Sequence, residues 1–288
     1  MVKEYQLGLE KRRKSLSVGK VFLYLILFIG ALCSLFPFYW MFVMATNPTH
    51  LIASIPPAVI PGSHTIENFR NVLNRIDFFG SMLNSLIVSA AVTFGQLFLC
   101  SLAGYSFAKI RFPGKKVVFA IVLGTMMVPK QLGLIPSYIL VAKWLGWLGQ
   151  LQSVIIPYLV GAFGIFWMNQ YIKEAIHDEL IDSAKIDGCS NFRIYYNIVV
   201  PNILPAFATL GIIVFMQVWN DFMWPMVMLP QLNNTTIMVA LRNLNDLHAS
   251  DYGMIMSGVF WATAPLIVIF LSFNRLFIES LTQGAVKG

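Results

Sequence analysis

The chain has 288 residues, of which 57% are hydrophobic and only 11% charged, with a formal net charge of +7. A soluble globule of this size exposes far more ionic surface, so the composition excludes one and requires an integral membrane protein. The positive charge does not signal nucleic acid, because most Lys and Arg residues sit in short segments flanking apolar runs, where they fix orientation against a membrane.

Residues 1–20 form a basic segment that includes Lys11-Arg12-Arg13-Lys14. The apolar run behind it, Val21 to Met44, has 24 uncharged residues. That exceeds the roughly 7–15 residues of a signal-peptide core, and no small-residue cleavage site follows, so it reads as a retained anchor helix. Asn47 to Asp77 carries Pro48, Pro56, Pro57, Pro61 and Gly62, which predicts an irregular outer loop with one short helix near Ile66 to Leu73.

The second apolar run is Phe78 to Ala108. Its Asn84, Ser85, Ser89, Thr93 and Gln96 lie near one helix face, where they either line a pathway or pack against another helix; packing is the simpler role. Next comes Val117 to Tyr138, interrupted by Lys130, whose mid-helix cost is about 2.5–3.5 kcal/mol. Lys130 lies past the middle, so it can snorkel outward. Three further runs are Trp144 to Ile172, Ile194 to Asn220 and Tyr252 to Asn274. A helix needs about 20 apolar residues to cross the hydrocarbon core, so five runs qualify outright and Val117 to Tyr138 makes a sixth.

Charge favours six. With the N-terminus inside, fifteen of the 20 Lys and Arg fall on the cytosolic side, leaving Arg70, Arg75, Lys130, Lys143 and Arg242 outside. Without the sixth crossing, Lys173, Lys185, Arg193, Arg275 and Lys287 move outside and the asymmetry weakens. The expected fold is therefore all-α: a polytopic membrane protein with six transmembrane helices over 21–280, both termini in the cytosol, and no separate soluble domain.

Between the fourth and fifth runs lies a polar stretch, Tyr171 to Arg193, holding Glu174, Asp178, Glu179, Asp182 and Asp187 against Lys173, Lys185 and Arg193. Asp178 can cap a helix beginning at Glu179, Gly188 can end it in a left-handed conformation, and Ser190 can cap a second helix running toward Pro201. Ile181, Ala184 and Gly188 share one face, and the small residues at 184 and 188 let a partner backbone approach. Taken alone, this also describes an ordinary amphipathic interfacial helix. The spacing over some twenty residues separates the two.

That spacing resembles the permease subunits of ABC importers, whose hallmark is Glu-Ala-Ala, three residues, Gly, nine residues, then Ile-x-Leu-Pro. Asp182, Ser183 and Ala184 match the first three places, Asp187 the acid before the glycine, Gly188 the glycine, and Ile198, Val200 and Pro201 the end. Asp182, Ser183 and Val200 depart from the pattern modestly, and Cys189 replaces a frequent Ala. The resemblance runs over about 270 residues. It implies that the loop 171–200 is a cytosolic coupling element, fitting a cleft on an ATPase subunit and carrying the motion of ATP-driven closure to the spans. Met127-Val128-Pro129, Ile135-Pro136, Trp219 to Pro225 and the tail 281–288 are similar to those of carbohydrate importers, in particular the smaller maltose-permease chain.

The same resemblance implies the partners: a second permease subunit, two ATPase subunits that bind ATP and Mg, and an extracytoplasmic sugar-binding protein. It also implies a tail contact to the ATPase through Gln283, Gly284 and Lys287, although a frayed end is the plainer alternative. Asn84, Thr93, Gln217 and Asn220 are candidates for lining the pathway. Asp221 between Trp219 and Trp224 suits either an aromatic interface belt or a sugar-stacking site. In maltose permeases the intramembrane sugar is held mainly by the other subunit, which argues against assigning substrate residues here.

No Gly-x-x-x-x-Gly-Lys-Ser/Thr loop occurs, so ATP hydrolysis is expected in a separate subunit and no cofactor in this chain. Cys33, Cys100 and Cys189 are too far apart in sequence for a Cys-x-x-Cys site, and the four histidines lack ligand spacing. The rival reading is an ion-gradient-driven secondary transporter. It predicts paired buried acids that the span centres lack.

Overall fold

The computed structural model describes residues 18–231, 234–245 and 251–283. All of its regular structure among those residues is helical. α1 (Val18–Thr46) leads through the single turn α2 (Thr49–Ile52) to α3 (Thr65–Arg75), then α4 (Phe78–Lys109) and α5 (Lys115–Thr125). Short pieces follow: a 3-10 turn at Lys130–Gly133, α6 (Leu134–Tyr138), a π-helical turn at Ile139–Trp144, α7 (Gln152–Ile155) and a 3-10 turn at Ile156–Tyr158. Beyond these come α8 (Ala162–Ala175), α9 (Asp178–Ile186), α10 (Asn191–Ile194), a π-helical turn at Tyr195–Val199, and α11 (Val200–Asn202). The chain finishes with α12 (Leu204–Trp219), α13 (Met223–Met228), α14 (Ile237–Arg242) and α15 (Tyr252–Gln283).

Among the described residues three helices are long and apolar enough to cross a bilayer: Gly19–Thr46, Phe78–Lys109 and Tyr252–Ser272. Counting each bent pair as one crossing gives five. The pairs are Gln152–Tyr158 with Ala162–Ala175, bent by 40°, and Asn191–Asn202 with Leu204–Trp219, bent by 78°.

The run Val117 to Tyr138, expected as one continuous helix, is broken in the structure. α5 stops at Thr125, and the chain turns through Met126 to Pro129 before the short helical pieces begin. Pro129 and Pro136 lack the amide hydrogens an unbroken helix needs. No residue of α5 or α6 is buried, so packing within this chain restrains the segment only lightly. The fourth expected run, Trp144 to Ile172, also starts later than its apolar composition suggests. Trp144 to Leu151 turns rather than coils, with Gly149 donating its amide to the Met228 carbonyl at 2.8 Å and accepting from Asn234 Nδ2 at 2.7 Å.

Breaks inside a bilayer expose carbonyls that water cannot reach, and here side chains cover them. Gln96 Nε2 donates to the Tyr158 carbonyl at 2.7 Å and Cys100 Sγ to the Gly161 carbonyl at 3.5 Å, bridging α4 to the first bend. At the second bend, between Pro201 and Pro205, Asn202 Nδ2 donates to the Ile198 carbonyl at 2.7 Å.

α4 is the axis of the bundle, packed along α8 on one side and α12 on the other. A Cβ at Gly104 would lie 2.7 Å from Met168 Cβ and 2.9 Å from the Asn169 amide nitrogen, so that glycine sets how closely α4 and α8 meet. The larger core joins α4, α8 and α12 to the polar loop through Tyr105, Met168, Ile172, Ile176, Ile181, Ala184, Ile194, Tyr195 and Leu210. A second core gathers Val72, Phe78, Phe215, Trp219, Ile237, Leu241 and Met254 where α3, α12, α14 and α15 converge. α1 touches α15 and α3 near its end, while its apolar stretch from Val21 to Phe38 is exposed on every side.

Candidate functional site

The polar loop is built on the end of α8. Ile172 and Ile176 are buried, the backbone becomes extended at Ile176 and His177, and α9 begins at Asp178. Asp178 and Glu179 occupy its first turn and Lys185 its last, matching the helix dipole. Asp178 was expected to cap α9, but it lies inside the helix, and His177 in the cap position makes no side-chain cap bond. The Asp178 carboxylate instead takes Lys109 Nζ at 2.6 Å, fastening α9 to the end of α4.

This hydrogen bond and charge hold the Asp178 carboxyl below its ordinary range. A depressed carboxylate contributes its stabilisation above the unfolded pKa, and the contribution is lost as pH falls through the depressed value. The Lys109–Asp178 bridge is therefore complete at neutral pH and yields only in acid, below the ~3.9 of an unperturbed aspartate.

α9 ends as expected at Gly188, with φ 77°. Cys189 donates its amide to the Ala184 carbonyl at 2.9 Å and Gly188 donates to the Lys185 carbonyl at 3.0 Å. These two bonds make a Schellman motif, which satisfies the last carbonyls of α9 and turns the chain sharply. Ser190 then caps α10 by accepting the Arg193 amide at 3.3 Å, also as expected. The product is two short helices joined by a tight, fully hydrogen-bonded bend.

The face that α9 offers outward differs from the expected one. Ile181 and Ala184, which share a face suited to a partner, are 2% and 7% exposed and pack into this chain's own core. Asp182, Ser183, Asp187 and Gly188 are open to solvent, as is Pro201, while Ile198 is half-buried. Sequence reasoning missed the apolar residues that stand outward around them: Leu180, Ile186, Phe192 and Tyr196, with Ile186 87% exposed. Their signal was available as large apolar residues lying off the Ile181–Ala184 face in a polar segment.

The polar residues of α4 and α12 divide. Asn84 Nδ2 donates to the Thr235 carbonyl at 3.1 Å and to Asn234 Oδ1 at 3.3 Å, while Ser85 Oγ accepts the Ile237 amide at 2.8 Å. Both tie α4 to the approach to α14, which is a packing role. Thr93 is buried, with its methyl directed toward Gly211 of α12. Gln217 and Asn220 are exposed, and Asn220 donates back to the Met216 carbonyl at 2.8 Å. Trp219 and Trp224 form neither a belt nor a sugar platform. Trp219 is buried and stacked on Phe215, whereas Trp224 is buried and donates Nε1 to the Ser153 carbonyl at 3.0 Å. Asp221 lies close to Tyr158.

Of the tail residues, Gln283 contributes its backbone as the last residue of α15, and Gly284 and Lys287 lie outside the described residues. Among the described residues no cluster of His, Cys, Asp or Glu could hold a metal ion.

Long apolar helices, bends sealed by side chains and wide exposed apolar surfaces define an all-α polytopic membrane permease. Residues 68–282 match the family model described as binding-protein-dependent transport system inner membrane component. The arabinooligosaccharides transport system permease protein AraQ of Bacillus subtilis (strain 168) is 32% identical over 275 residues, covering 94% of this chain and 97% of that one. The lactose transport system permease protein LacG of Rhizobium radiobacter is 32% identical over 264 residues, covering 92% and 95%. A crystal structure of a bacterial ABC transporter involved in the import of the acidic polysaccharide alginate shares the fold. Its TM-score is 0.78 at 22% identity, over 93% of this chain and 99% of that one.

The chain belongs to the family of binding-protein-dependent transport system inner membrane components. It is the membrane permease component of an ABC-type importer that works with a binding protein and an ATPase. It is non-catalytic: in this family ATP hydrolysis occurs in a separate subunit.

Proposed function

We propose that this chain forms, with a second permease subunit, the path for a mono- or oligosaccharide delivered by an extracytoplasmic sugar-binding protein and driven by two ATPase subunits. The similarity to permeases named for arabinooligosaccharides and lactose supports the substrate class. In this reading the broken stretch from α5 to the π-helical turn after α6 is the sixth crossing, bent at Pro129 and anchored to this chain's larger core through Val141 and Tyr138. The exposed flanks of α1 suit the second permease or lipid. Both termini are cytosolic, in keeping with the distribution of Lys and Arg.

The carrying observation is the bend at Gly188. Asp182, Ser183, Asp187 and Gly188 are exposed there beside Ile186 and Phe192, while Ile181 and Ala184 lock α9 into the spans' own core. An ATPase cleft that takes the outer face moves the inner face with it. Burying Ile186 alone is worth about 1.5–3 kcal/mol. ATP binding closes the ATPase dimer, pushes α9, and tilts the helices packed on Ala184 toward the outward-open state; hydrolysis reverses the motion.

Reconstitution tests this reading. Vesicles holding the two permeases and the ATPases, supplied with the sugar-loaded binding protein, accumulate sugar only when ATP is present. Accumulation by this chain alone under an ion gradient without ATP would favour a secondary transporter instead.

A further inference from the structure

Beyond the end of α4 the chain reverses through Phe112-Pro113-Gly114. Gly114 stands at φ 77° and ψ −1°, the conformation a type II turn needs at its third position. The reversal leaves a recess of about 370 Å³ lined by Arg111, Phe112, Gly114, Lys115, Lys116 and Val117. Lys115 is partly occupied, its Nζ donating to the Ile110 carbonyl at 3.0 Å and the Ala108 carbonyl at 3.4 Å, which finishes α4. Lys173 of α8 stands nearby, over the Phe119 ring and 5.8 Å from its centroid.

The recess carries an excess of positive charge. The charges acting on Lys115 are the cations Lys173, Arg111 and Lys109, opposed by the anion Asp178. Asp178 is already bound to Lys109 at 2.6 Å. Arg111 and Lys116 are exposed and form no ion pair among the described residues. One carboxylate does not balance this many cations, and a further anion seated among them relieves the remaining repulsion.

The neighbouring surface is apolar. Val117, Val118 and Ile121, on the first two turns of α5, are 64%, 45% and 64% exposed and run directly away from the recess. In a membrane protein such a face meets acyl chains, and cations at its end stand at the level of the headgroups. We propose that this recess binds the headgroup of an anionic phospholipid, with Arg111 and Lys116 holding the phosphate and Val117 and Ile121 lying along an acyl chain. A free phosphate would satisfy the cations but leave the apolar row uncovered. An acidic segment of a partner protein would do the same. The inference requires that α4 and α5 lie in the bilayer; it does not depend on the sugar or on the coupling role of α9.

The test uses the assembled transporter, purified in mild detergent, with the double variant Arg111→Gln/Lys116→Gln and the conservative Arg111→Lys/Lys116→Arg. Retained lipid is counted by native mass spectrometry, and thermal stabilisation is measured on adding phosphatidylglycerol, phosphatidylcholine or inorganic phosphate. Wild type and the conservative variant should retain phosphatidylglycerol over phosphatidylcholine. At about fivefold per basic residue, the glutamine variant should lose roughly 25-fold in phosphatidylglycerol affinity. Equal retention by wild type and the glutamine variant would overturn the proposal. So would stabilisation by inorganic phosphate matching that by phosphatidylglycerol, or lipid retention that vanishes when the ATPases are stripped away. If the glutamine variant fails to assemble, the wild type's preference between the two lipids decides alone. ATP-driven uptake, measured separately, reports on the transport reading and can fail without touching this one.

Discussion

Replacing Gly188 by leucine is expected to lower uptake roughly tenfold or more while the chain still enters the membrane and assembles. The reason is local. Gly188 sits at φ 77°, and a side chain in that left-handed region costs about 1–2 kcal/mol, against about 1.4 kcal/mol for a factor of ten. No atom within 4 Å would meet a Cβ at that position, so the substitution strains the bend without jamming the core. The strain relaxes by opening the Schellman motif, which frees the Ala184 and Lys185 carbonyls and swings the exposed face of α9 away from its partner. ATPase activity no longer stimulated by the loaded binding protein, with transporter levels unchanged, is the signature to measure. Normal uptake by the variant would remove the bend from the mechanism.

Gly104→Val should act in the opposite way, lowering the amount of assembled protein rather than its coupling. Even a Cβ there lies 2.7 Å from Met168 Cβ and 2.9 Å from the Asn169 amide nitrogen, and backbone cannot swing aside as a side chain can. Overpacking a well-filled contact costs about 1–3 kcal/mol for small insertions, and a valine adds two further carbons. α4 must separate from α8, and with it the Lys109–Asp178 bridge and the buried seat of α9 are disturbed. Loss of the folded chain by fluorescence-detected size exclusion is the expected outcome. Unchanged levels and thermal stability would mean the α4–α8 contact is looser than its geometry implies.

These two glycines show what could be read without coordinates. The bend at Gly188 and the Ser190 cap were legible because each rests on a local rule: a left-handed residue after a polar helix, then a serine two residues on. α4 was legible from its long uncharged run, found at Phe78–Lys109, and α3 from the breakers around it, found at Thr65–Arg75. The inward face of α9 was not. Ile181 and Ala184 suit a partner's backbone as well as this chain's own core, and only the position of Ile172, Ile176 and Tyr195 decides between them. Trp219 and Trp224 misled for the same reason, since two tryptophans beside an aspartate look alike at a lipid interface and in a packed junction. The broken run after α5 hid because hydropathy counts apolar residues without asking whether Pro129 and Pro136 leave a continuous ladder.

Close approach between α9 and an ATPase carries the functional account, and cross-linking measures it directly. With Ile186→Cys in the assembled, cysteine-free transporter, and cysteines introduced around the surface cleft of the ATPase, a short bifunctional reagent should join the two subunits in high yield. The yield should change when ATP and the sugar-loaded binding protein are added together. Labelling of residue 186 from the extracytoplasmic side, or no cross-link to the ATPase in any nucleotide state, would contradict the account.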